Sequence, residues 1–143
     1  VSNNDAAEIE RNKQVIEDFY REVFQKHDLD AVDRFMYDDY IQHNADCPQG
    51  KTGFVEFHRG FFAAMPDFYP IINRMVAEGD LVWVYNTITG THTGQGFLDY
   101  PPTNNDIRYD VVDMYRLRDG KVCEHWDVAD TRALFTQVGA IQP

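Results

Sequence analysis

In GKVCEHWDVADTRALF, residues 120–135, the ionisable side chains Glu124, His125, Asp127 and Asp130 crowd around Trp126. A carboxylate in an apolar setting is costly in its charged form, so its pKa climbs toward neutrality, where it can take a proton and return it. Which of these groups face an interior is a question of strand register. Asp119-Gly120 just ahead predicts a two-residue hairpin turn that pairs Arg118 with Lys121. Unbroken alternation from that turn sets Tyr115 opposite Glu124, Asp113 opposite Trp126 and Val111 opposite Val128. These residues share a face with Ile107, Tyr109, Leu117 and Val122, and that more apolar face belongs to the core. Asp113 and Glu124 are its exceptions, and Asp113 is the best site candidate from the residues alone. Asp130 has the parity of Trp126 and would point the same way if the strand runs that far, although it also suits the N-cap of a following helix. His125 and Asp127 fall on the opposite face, in solvent or in a subunit contact.

Other polar groups give weaker signals. His43 and Asn44 in YIQHNAD sit where a short extended segment ends and could enter a cavity mouth; His92 in GTHTGQGF lies at a strand end. Tyr20 lies on the inner stripe of the first helix and can present its hydroxyl inward, and Trp83 and Trp126 complete the set of expected ligand-contacting residues. His27, His43, His58, His92 and His125 form no HExxH, HxH or Cys-His cluster, so no metal is expected. With no GxSxG, GxGxxG or phosphate loop, no nucleotide cofactor is expected either.

Helices and strands must hold these groups in place. Asp5 can cap a helix over residues 5–26 with Ile16, Phe19, Tyr20, Val23 and Phe24 on one face. DLDAVDRFMYDDY repeats the helical pattern through Leu29, Val32, Phe35 and Met36, with Asp28 or Asp30 as its cap. A third helix over 52–65 ends before Pro66. Four strands rich in β-branched and aromatic residues follow, and a closing helix over 130–138 stops at Gly139. Helices first and antiparallel strands later predict one α+β domain over 1–143, with the helices covering one face of a curved sheet.

Composition narrows the partners. Lys and Arg number 13 against 24 Asp and Glu, a net charge of −11 that disfavours nucleic acid. No apolar run approaches the roughly 20 residues needed to cross a bilayer, so no membrane partner is expected. Cys47 and Cys123 lie in no CxxC pattern and read as free thiols of a cytoplasmic protein.

Taken in order, VIEDFYREVF, YIQHN, MPDF, AEGDLVWV, GTHTG and the long block from PPTNNDIRYDVVDMYRL to TRALFTQVGAI resemble the SnoaL-like polyketide cyclase family of the nuclear-transport-factor-2-like superfamily. The E-x-W-x-x-x-D-x-x-x-L-x-x-Q-x-G spacing is the most specific part. The resemblance implies a cone-shaped, cystatin-like α+β roll enclosing a deep apolar pocket, often in a homodimer. It implies ring closure by intramolecular aldol condensation of a small apolar carbonyl compound, without cofactor or metal, with an Asp as general acid/base. That acid maps onto Asp130, with Asp127 the alternative. The family's partner histidine falls near Asp113 or Arg116 on the penultimate strand, and neither is a histidine here. Noncatalytic binding of a small molecule, and an isomerase or hydratase resembling ketosteroid isomerase or limonene epoxide hydrolase, are the other readings open to this scaffold.

Overall fold

The stretch read as one helix over 5–26 is helical throughout but changes pitch. In a computed structural model describing residues 3–97 and 99–143, α1 (Asn3–Phe19) passes into a π-helical segment, Tyr20–Gln25. Asp5 lies in the first turn of α1 and is not its cap. The wider segment keeps Tyr20, Val23 and Phe24 buried. Phe19 anchors the core, its ring 5.0 Å from Phe24, 5.5 Å from Phe35, 5.8 Å from Phe54 and 5.9 Å from Tyr115. Tilted and edge-on aromatic pairs of this kind add specific attraction to the burial of large apolar area.

The second expected helix divides: its first half is helical and its second half is strand. Asp28 caps it as anticipated, accepting from the backbone N–H groups of Asp30 and Ala31, but only a 3₁₀ segment, Leu29–Arg34, follows. The chain then extends into β1 (Met36–Gln42), which pairs in parallel with the last strand. Apolar residues at Leu29, Val32, Phe35 and Met36 fit a helix by period; from Met36 onward, pairing with a sheet edge decides otherwise.

The remaining elements follow expectation: α2 (Gly50–Ala64), β2 (Tyr69–Glu78), β3 (Leu81–Thr91), β4 (Asp106–Arg118), β5 (Lys121–Ala129) and α3 (Thr131–Gln137). The sheet runs β1-β5-β4-β3-β2, antiparallel except for the β1–β5 pair. This is the α+β architecture anticipated, with β1 added to the four expected strands. Val82, Val84 and Ile88 of β3 and Val111, Tyr115 and Leu117 of β4 meet the helices in the core. The other face is left open. Among the described residues no helix is long and apolar enough to cross a membrane.

The loop after β3 carries Phe97 into the core by a close backbone approach to α2. The Gly94 N–H donates to the Ala64 carbonyl at 3.0 Å, and a Cβ on Gly94 would lie 1.9 Å from the Ala63 carbonyl oxygen. Gly94→Ala is therefore expected to cost about 1–3 kcal/mol, the usual range for overpacking. Urea unfolding measures it, and a variant as stable as wild type would refute this role for Gly94.

Candidate active site

The Asp119-Gly120 turn forms as the sequence predicts. Both residues have positive φ, 50° and 76°, as a two-residue hairpin of this type requires, and Arg118 pairs with Lys121. Next, Leu117 pairs with Val122 but Arg116 pairs with Glu124, so Cys123 is the extra residue of a β-bulge. A one-residue slip moves every later side chain to the other face. The register expected from the turn is overturned beyond this point: Tyr115 faces His125, Met114 faces Trp126, and Asp113 faces Asp127.

His125 and Asp127 thus join Asp113 on the covered face, while Glu124 and Trp126 go to the open one. Asp113 holds the centre of a buried network. Its Oδ1 meets His125 Nε2 at 2.9 Å; its Oδ2 accepts from the Tyr20 hydroxyl at 2.5 Å and from Asn86 Nδ2 at 2.8 Å. Gln42 at the end of β1 sets the histidine tautomer. Its Oε1 already accepts from the Asn44 backbone N–H at 2.9 Å, so it also accepts from His125 Nδ1 at 2.8 Å. With Nδ1 committed as a donor, one further proton lies between Nε2 and Asp113. Burial works to raise the Asp113 pKa, but the hydrogen bond and charge of His125, with Tyr20 and Asn86, hold it below the ordinary value. Burial and the Asp113 charge push the Tyr20 hydroxyl well above its own.

Asp127 sits in the opposite environment. Burial raises its pKa, and the bond donated by Asn44 Nδ2 at 2.7 Å opposes that only in part. Asp127 also borders open space. A cavity of about 120 Å³ is lined by Asp113 and Asp127 together with Asn44, His58, Phe97 and Phe135. A smaller chamber of about 50 Å³ shares Asn44, His58, Asp113 and Asp127 and reaches inward to Gln42, Tyr115 and His125. Exposed Asp46 and Thr131 mark the mouth. Larger depressions exist on the surface, but they lie on the open sheet face or at the Asp67–Arg108 edge, away from the paired acids.

Not every expected site residue arrives here. Asn44 lines the cavity, whereas the Tyr20 hydroxyl is spent behind it on Asp113. His43 and Trp126 stack on each other with centroids 4.7 Å apart, and His43 Nε2 bonds Glu124 Oε1 at 2.9 Å, outside the cavity. Trp83 is 46% exposed on the open face, and His92 is buried against Thr103. Asp130 does not border the cavity: its carboxylate accepts from the Ala133 N–H at 3.0 Å as the N-cap of α3.

The SnoaL-like polyketide cyclase family model matches residues 14–138. The chain belongs to this family. Nogalonic acid methyl ester cyclase of Streptomyces nogalater is 26% identical over 116 residues, covering 77% of this chain and 84% of that one. AclR of Streptomyces galilaeus, a candidate hydroxylase, superposes with a TM-score of 0.84 at 27% identity, covering 94% and 85% of the two chains. IdmH of Streptomyces antibioticus, a candidate polyketide cyclase, gives a TM-score of 0.75 at 28% identity over 90% and 98%.

Of the two positions onto which the SnoaL-like acid maps, Asp127 is the one that faces the cavity. Asp113 stands on the penultimate strand near where the resemblance implies a histidine, and the histidine that Asp113 meets is His125 of β5. One ligand atom each from Asp113, His125 and Asp127 lies within 4.8 Å of the others, the right size for a small cation. Here Asp113 and His125 bond each other. Sequence reasoning passed over Asn86, Gln42 and His58. Asn86 was legible as a polar residue on the Val82–Val84 parity of β3, and His58 as a polar member of the Phe54–Phe61 stripe of α2.

Proposed function

We propose that this protein closes a ring by intramolecular aldol addition on an apolar carbonyl or ester substrate, with Asp127 moving the proton. The observation that carries the reading is the contrast between Asp113 and Asp127. Directly paired across β4 and β5, they have pKa values pushed in opposite directions. Two carboxyls whose environments separate their titrations can take separate roles. Asp113 stays ionised within its network and fixes His125, whereas Asp127 is poised to exchange a proton.

The Asp127 carboxylate takes a proton from a methylene activated by adjacent carbonyls, and the enolate carbon attacks a second carbonyl held in the same cavity. A carbon–carbon bond forms, and the new alkoxide recovers the proton from neutral Asp127. No atom or electron is exchanged with a cofactor. Asn44 orients the carboxyl through its Nδ2 bond. The cavity encloses the reacting end, and the rest of a larger ester projects past Asp46 and Thr131. The relative that cyclises a methyl ester makes nogalonic acid methyl ester the first compound to assay, comparing Asp127→Asn with wild type. Exchange of the activated C–H for deuterium without ring closure would instead mark a proton-transfer isomerase.

The open sheet face suits a second copy of the chain. Val76 is 62% exposed, Val128 68% and Trp83 46%, an apolar surface of a kind monomers seldom leave uncovered. Arg74, Arg108 and Arg116 lie on it among Glu78, Asp110 and Glu124, so a twofold axis can set cations against anions. Light scattering is expected to show a dimer that Trp83→Glu converts to monomer. A monomeric wild type would sink the idea.

A further inference from the structure

His58 is a polar group in the cavity wall that the proton transfer does not use. It projects from α2 among aromatic rings, 4.0 Å from Phe54, 5.1 Å from Phe24 and 5.3 Å from Phe57 between centroids. Its Nδ1 lies 2.8 Å from the Phe54 carbonyl oxygen. A carbonyl only accepts, so Nδ1 carries the hydrogen and neutral His58 has its lone pair on Nε2. Nε2 lies on the ring edge turned away from that carbonyl. It has no hydrogen-bond partner among the described residues, nor is it one of the polar atoms sealed from solvent without one. His58 lines both chambers. Burial pushes its imidazole down to about 4, so it stays an acceptor at neutral pH.

We infer that His58 Nε2 accepts a hydrogen bond from a hydroxyl on the bound ligand, selecting phenolic or enolic compounds over analogues without that group. The inference rests on the same cavity as the proposed cyclase and adds what its substrate must carry: an O–H directed at α2 while the acidic C–H faces Asp127. The walls favour a flat, apolar body for that ligand, since Phe57, Phe61, Phe68, Phe97 and Phe135 line the main chamber. An unpaired acceptor in such surroundings discriminates strongly, because a ligand without a donor leaves it desolvated and unsatisfied.

The test uses 4-methylphenol and 1,4-dimethylbenzene, which share a shape and differ by a hydroxyl in place of a methyl. Dissociation constants are measured for wild type, His58→Leu and His58→Gln. The preference for the phenol over the hydrocarbon is expected to fall about tenfold or more in His58→Leu, one hydrogen bond's worth. His58→Gln, whose amide oxygen can replace Nε2, should recover most of it. In wild type, the phenol and not the hydrocarbon should shift the Nε2 resonance of ¹⁵N-labelled His58. Equal preference in wild type and His58→Leu, an unmoved resonance, or failure of the phenol to bind would each overturn the inference. The titrations need no turnover, so absence of ring closure in wild type would remove the cyclase reading, and an active Asp127→Asn its assignment of the proton carrier, while this result stands or falls alone.

Discussion

Asp127→Asn is expected to lower kcat for ring closure by about 10²–10⁴-fold, the usual contribution of a positioned acid/base group. The amide can still accept from Asn44 Nδ2, so substrate binding and fold should persist. The wild-type pH profile carries the matching signature. Asp127 must be ionised to take the proton, and its pKa lies above the ordinary aspartate value of 3.8. Wild-type kcat/KM should therefore rise with pH to a midpoint above 3.8, and that limb should vanish from the residual activity of Asp127→Asn. Stability should move the other way. A carboxyl with a raised folded pKa contributes stability that is fully present below its unfolded value and lost as pH rises through the folded one. Asp127→Asn escapes that loss, so at pH 7 it should unfold at no lower urea concentration than wild type. Asp130→Asn is the control: Asn caps a helix about as well as Asp, so turnover should be unchanged. An Asp127→Asn enzyme with near wild-type kcat, or an Asp130→Asn enzyme without activity, would transfer the role to another group.

The outline of the fold was legible because its signals were local. Phe54, Phe57 and Phe61 recur at helical spacing before a proline; Asp119-Gly120 admits little but a tight turn; Asp130 and Gly139 punctuate the last helix. Residues 36–40 were misread because the apolar spacing that leads into them satisfies a helix, and only the parallel partnership of β1 with the distant β5 selects the strand. The site was half legible for a related reason. Asp113 stands out in the sequence as the acidic member of an otherwise apolar parity. The faces of its neighbours, however, depend on Cys123, and nothing in KVCEHWDV taken alone marks that residue as unpaired. Counting from the turn without the bulge sends His125 and Asp127 outward and makes Trp126 and Asp130 look inward. The bulge is favoured by what it joins: His125 meets both Asp113 and Gln42, and Asp127 meets Asn44. Those bonds come from β4 and from β1 and its exit, distant in sequence, so the network fixes the register more than the register fixes the network.

That network carries the largest expected effect on stability. Asp113→Ala removes the acceptor for His125, Tyr20 and Asn86 together, and breaking one side of a buried ion pair typically costs about 3–5 kcal/mol. Asp113→Asn should cost much less. Its Nδ2 can donate to a neutral His125 Nε2, whose tautomer Gln42 already sets, while its Oδ1 accepts from Tyr20 and Asn86. The charge is lost but every hydrogen bond can be remade. Acid titration separates the two contributions. The folded pKa of Asp113 lies below its unfolded value, so its stabilisation is present above about pH 4 and is lost as pH falls through the folded value. The gap between wild type and Asp113→Ala in urea unfolding should therefore hold from about pH 7 to pH 5 and narrow only below about pH 4. Equal destabilisation by Ala and Asn would show that the charge itself matters more than the bonds. A gap that closed already at about pH 6 would mean that Asp113 is protonated near neutrality, and the division of labour between the two acids would be reversed.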